Sequence, residues 1–126
     1  MSVDVYVGTG SLEKLEKLEH QAVHALRIHQ AWRATVRAIA VRDRAASSTP
    51  RRQACEIDAW LALELDPSFR TLPLYEQTVE AHEDFHRALE ALYADRSSST
   101  REVVTAATVL KDCLEDWLTL ARHRSR

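Results

Sequence analysis

Four residues from three separate segments, His29, Cys55, His82 and His86, have side chains that bind transition metals. Imidazole nitrogen and thiolate sulfur are donors that zinc accepts in a tetrahedron, and three histidines with one cysteine would fill its four positions. His82 and His86 are spaced i, i+4 within a helical pattern, which puts both imidazoles on one face, one turn apart. A filled coordination sphere leaves no place for a reactive zinc-bound water, so hydrolytic chemistry is not expected and the chain reads as a non-enzyme. Each piece alone has a plainer explanation. Exposed i, i+4 histidines arise by chance on alanine-rich helices, a single buried histidine is commonly a hydrogen-bonded core residue, and a single cysteine packs as a small hydrophobe. The coincidence of all four on apolar seams is what points to a metal, because such groups are costly to bury unpaired.

The elements that must position these side chains are helical. The 126 residues contain only two Gly and three Pro and are dominated by Ala, Leu, Glu and Arg, which favours helix over sheet and suits one domain with its own core. From Leu12 to about Val41, Leu12, Leu15, Leu18, Ala22, Ala25, His29, Trp32, Val36 and Ile39 step by three or four, the pattern of a long amphipathic helix that carries His29 in its stripe. Before it, residues 1–10 alternate Val3, Val5 and Val7 with Asp4 and Tyr6 and end at Gly8 and Gly10, a strand-like flexible arm. A second helix is expected from Thr49 as N-cap with Pro50 behind it, running to about Leu65 ahead of Asp66-Pro67. Cys55, Ala59 and Ala62 would form its narrow small-residue face. Thr71 and Pro73 announce a third helix with Tyr75, Val79, His82, His86, Leu89 and Tyr93 on one stripe. After the polar linker ADRSSST, Ser99 and Glu102 make a capping box for a fourth, striped by Val103, Ala107, Leu110, Leu114, Trp117 and Ala121. The expected fold is all-α, an up-down antiparallel four-helix bundle over residues 11–126 with a long first helix.

The motifs around the four donors read His29-Gln30-Ala31-Trp32, then Cys55-Glu56-Ile57-Asp58-Ala59-Trp60-Leu61, then His82-Glu83-Asp84-Phe85-His86, with Phe69, Leu72-Pro73 and Tyr75 leading into the third helix. In this combination, over about residues 25–95, the chain resembles the chemoreceptor zinc-binding domain family, often abbreviated CZB. That resemblance implies a four-helix fold, zinc on His29, Cys55, His82 and His86, packing support from Trp32, Trp60 and Phe85, and a regulatory role beside chemoreceptor or diguanylate cyclase modules in bacteria. Two departures stand out: Asp58 replaces the glycine of the Cys motif, and LELDPS replaces a glycine-containing turn. The chain carries no output module, so a domain of this kind would act on a signalling partner in trans or belong to a larger protein. Cys55 is the expected redox-sensitive ligand, since oxidation would take away a thiolate and couple oxidant or zinc status to conformation.

Composition narrows the other classes. Seventeen basic and nineteen acidic residues give a formal charge of -2, and the basic clusters Arg51-Arg52 and Arg122 to Arg126 are scattered among acids, so nucleic acid is not an expected partner. No segment is apolar over the 18 or so residues a bilayer span needs and no signal-peptide pattern opens the chain, which sets the expectation of a cytoplasmic protein without membrane insertion. The leucines three apart in SLEKLEKLEH and the spread of Ile57, Trp60, Leu61 and Leu63 around the second helix make a homodimer a candidate. Two other readings remain open. One is a helical interaction module with no metal; the other is a hemerythrin-like di-iron centre, which would need carboxylates and histidines on more seams than these.

Overall fold

A computed structural model describes residues 2–41, 55–94 and 100–124, with the side chains of 2–11, 38–41, Tyr93 and Arg124 outside that description. The described chain is all-α, with no strand. Helix α1 spans Ser2–Val41, a short α2 spans Glu56–Ala59, α3 spans Pro73–Ala94 and α4 spans Thr100–Arg124. The helix that was expected from Leu12 instead begins at Ser2, which corrects the strand-like reading of Val3, Val5 and Val7. Alternation favours a strand only where a neighbouring strand can take up the backbone groups, whereas extending an existing helix gains one hydrogen bond per residue fixed.

Three amphipathic stripes meet to form the core. On α1, Leu15, Leu18, Ala22, Ala25, His29, Trp32 and Val36 are buried, at the three-and-four spacing of one helix face. On α4, Val103, Ala107, Leu110, Leu114, Trp117 and Ala121 are buried, and this helix packs against both α1 and α3. Arg122 reaches Glu19 at 3.1 Å and His29 reaches the Ala107 carbonyl at 2.8 Å, so residue numbers rise along α1 as they fall along α4. Helix α3 buries Thr78, Ala81, His82, Phe85, His86, Leu89 and Leu92.

Between α1 and α3 the chain departs from a single regular helix. Cys55 is extended (φ -77°, ψ 112°) and stands at the N-cap of α2, so the continuous helix through Cys55 is corrected; the expected Thr49 cap, like the Ser99 capping box, lies outside the described residues. After Ala59 the backbone widens into a π-helical turn over Trp60–Glu64. The wider turn rotates the register, so the Cys55–Ala59–Ala62 face does not hold: Ala62 is exposed while Trp60 and Leu61 are buried. Leu65 closes the segment with its amide on the Trp60 carbonyl at 2.8 Å. Asp66 then caps a 3-10 turn over Pro67–Thr71, accepting from the Ser68 amide at 3.0 Å. Pro67 at the start of that turn has no amide to donate and could not have continued the helix.

Trp117 ties this connection to the core. Its ring meets Trp60 and Phe69 edge-on, with centroids 6.1 and 6.2 Å away, and its indole N–H donates to the Thr78 hydroxyl at 2.8 Å. The same hydroxyl donates to the Leu74 carbonyl at 2.7 Å, so both its roles are used. Thr78→Val keeps the shape but strands the buried indole N–H, and is expected to cost about 1–3 kcal/mol of unfolding free energy. Urea denaturation checks this, with Thr78→Ser, which keeps the hydroxyl, as the milder control.

Candidate metal centre

The site forms where the N-terminal end of α2 meets the middle of α3. His82 and His86 are one turn apart on α3, and their neighbours Ala81, Phe85 and Leu89 pack into the core, which carries both imidazoles inward. Cys55 stands at the α2 N-cap. Cys55 is 4% exposed and each histidine 2%. The Sγ of Cys55 lies 3.5 Å from His82 Nε2, and His82 Nε2 lies 3.0 Å from His86 Nε2. Tetrahedral zinc with ordinary bond lengths separates two nitrogens by about 3.3 Å and nitrogen from sulfur by about 3.6 Å. The donor spacing therefore fits a single metal ion. One ligand atom from each of Cys55, Asp58, His82 and His86 lies within 4.8 Å of all the others.

The surroundings of Cys55 favour its protonated thiol. Burial pushes its thiol above the ordinary range, the backbone amides of Asp58 and Ile57 pull it down, the Asp58 charge raises it and the Trp32 indole lowers it. Without a nearby cation Cys55 is thus a neutral thiol at neutral pH, and a metal that takes the thiolate must displace a proton.

Of the aromatic residues in the three motifs, Trp32 and Phe85 reach the cluster. Trp32 meets His86 edge-on at 5.0 Å and Phe85 at 6.1 Å. Phe85 meets His29 at 5.5 Å on one side and His86 at 5.4 Å on the other. Trp60 contacts Trp117 and donates its indole N–H to Gln21 Oε1 at 3.0 Å, tying the π-helical turn to α1.

His29 stands beside the cluster and outside the group of mutually close donors. Its Nε2 faces the Ala107 carbonyl at 2.8 Å. A carbonyl only accepts, so Nε2 carries the hydrogen and Nδ1 holds the lone pair. That Nδ1 is buried with no hydrogen-bond partner, a condition that costs roughly 1–3 kcal/mol. It is an unused donor to a metal. Asp58 is the member that sequence reasoning missed, having marked it only as a departure from glycine; its Oδ1 lies 3.3 Å from His82 Nδ1. The available signal was its position, third after Cys55 at the start of a helix, where one turn returns to the same edge.

The remaining histidines and the second cysteine take no part. His20, His24 and His123 are exposed, with His24 paired to Glu56 at 3.1 Å. Cys113 is a buried free thiol that burial pushes up, with the Thr78 hydroxyl lowering it. Among the described residues, no helix is long and apolar enough to cross a membrane. The chain matches no protein-family model, no curated protein and no solved structure.

Burial drives the His29 pKa down to about 4 from 6.5; the Ala107 bond raises it, and Arg33 and Lys111 lower it further. A depressed folded-state pKa means that between these values the unfolded chain binds a proton the folded chain refuses. The stability from neutral His29 is therefore full above pH 6.5 and lost as pH falls toward 4, by up to roughly 3 kcal/mol. Thermal melts of chelated protein across that window should fall more steeply for wild type than for His29→Gln. Parallel slopes would refute the assignment.

Proposed function

We propose that this chain is a metal-binding regulatory domain in which one zinc ion staples α2 to α3 through Cys55, His82 and His86. The observation that carries this reading is the convergence of Cys55 Sγ, His82 Nε2 and His86 Nε2 at 3.5 and 3.0 Å in a buried seam. Thiolate with imidazole is a zinc donor set, and it is a poor one for magnesium or calcium. His29 is the fourth ligand in this proposal: its lone-pair Nδ1 is buried and unpartnered, and coordination through it would add α1 to the staple. The helices are arranged as an up-down antiparallel four-helix bundle, and the domain is of the chemoreceptor zinc-binding kind.

Bound zinc supplies folding energy by cross-linking segments that are distant in sequence. Occupancy then biases how α1, α2 and α3 pack, and a bacterial signalling partner of chemoreceptor or diguanylate cyclase type reads that packing in trans, in the cytoplasm. Cys55 gives the site a second input. A peroxide-class oxidant would transfer oxygen to its thiolate, forming sulfenic acid and releasing hydroxide, which removes one donor.

A metal-free interaction module is the competing reading, and one observation favours it. Asp58, His82 and His86 lie in sequence at 3.3 and 3.0 Å, so the two imidazoles can satisfy each other and the carboxylate by hydrogen bonds alone.

Elemental analysis by mass spectrometry of protein purified without an affinity metal separates the two. About one zinc per chain is expected, with a chelator-sensitive melt, and loss of both properties in Cys55→Ala and His82→Ala. No metal, with melts indifferent to zinc and to chelator, would leave the interaction module.

A further inference from the structure

Asp58 differs from the other members of the cluster in two respects. It is 39% exposed where they are buried, and its contact is with the far nitrogen of His82, the one turned away from Cys55. An ionised carboxylate only accepts, so at 3.3 Å the hydrogen of the pair sits on His82 Nδ1. A singly protonated imidazole then holds its lone pair on Nε2. That is the nitrogen 3.5 Å from Cys55 Sγ and 3.0 Å from His86 Nε2.

Charge adds a second argument. A divalent cation on one thiolate and neutral imidazoles leaves a net positive charge in a seam whose donors are almost wholly removed from water, which is unfavourable. The Asp58 carboxylate brings thiolate, carboxylate and dication to neutrality.

Resting on the metal-site reading above, we infer that Asp58 is the positioning residue of this centre. It holds His82 in the tautomer that presents Nε2 to the metal, and its charge offsets that of the ion. It is not itself a ligand. Carboxylates that orient metal-binding histidines in this way typically contribute about 10–100-fold in affinity.

The test uses the full chain and cobalt(II) as a spectroscopic probe, titrated against a competing chelator for wild type, Asp58→Ala and Asp58→Asn. Long-range nitrogen–proton NMR of the metal-free proteins reports the His82 tautomer. Asp58→Ala should bind cobalt about 10–100-fold more weakly with an unchanged visible spectrum, and its His82 should lose the pure Nδ1–H tautomer seen in wild type. Asp58→Asn keeps an accepting oxygen, so it should keep the tautomer while losing part of the affinity through its missing charge; it also guards against a fold defect in the alanine variant. An Asp58→Ala affinity within about twofold of wild type, or a wild-type His82 protonated on Nε2, overturns the inference and leaves the metal site standing. A visible spectrum altered in both variants makes Asp58 a ligand and likewise overturns it. Wild type that binds no cobalt removes the metal site and this inference together.

Discussion

Polar donors buried in an apolar seam must find partners, and the layout of this protein follows from how that demand is met. Cys55, His82 and His86 are nearly inaccessible to water, so each must bond to a neighbour or to an ion. Their mutual distances of 3.5 and 3.0 Å serve either answer. Hydrogen bonds among these groups satisfy the site as it stands, and the same spacing suits coordination of one ion.

The residues around the site keep those options open. Trp32 and Phe85 enclose the histidine rings and exclude water, so the electrostatic terms are strong. From α4 the Ala107 carbonyl accepts from His29 Nε2, which leaves the lone pair on Nδ1. The π-helical turn after Ala59 lets α2 offer Cys55 and Asp58 to α3 at one end and Trp60 and Leu61 to the core at the other. A regular helix of this length would have brought Ala62 onto the Cys55 face.

Much of this was legible in the chain. The stripes on α1 from Leu15 to Val36 and on α4 from Val103 to Ala121 are the buried faces, because spacing by three and four maps directly onto one side of a helix. The placement of His82 and His86 on a common inward face follows from the same geometry, and Pro67 and Pro73 marked the breaks through local backbone chemistry. Less legible were the features that rest on neighbours absent from any local window. The helix from Ser2 overrode a strand-like alternation, and the π turn altered a face that ideal periodicity would have kept.

By itself, then, the sequence determined the helical class, the inward faces and the pairing of His82 with His86, all consequences of the 3.6-residue repeat acting within one segment. Tertiary structure alone decided which donors meet. His29 and Cys55 are each one polar residue in an apolar stripe, and nothing in their own segments says that His29 faces the Ala107 carbonyl while Cys55 reaches His82. Asp58 likewise acquires its role only because α2 docks against α3 with the carboxylate beside His82 Nδ1. Such contacts depend on the rotation and offset of packed helices, quantities set by the whole core and encoded in no single stretch of chain.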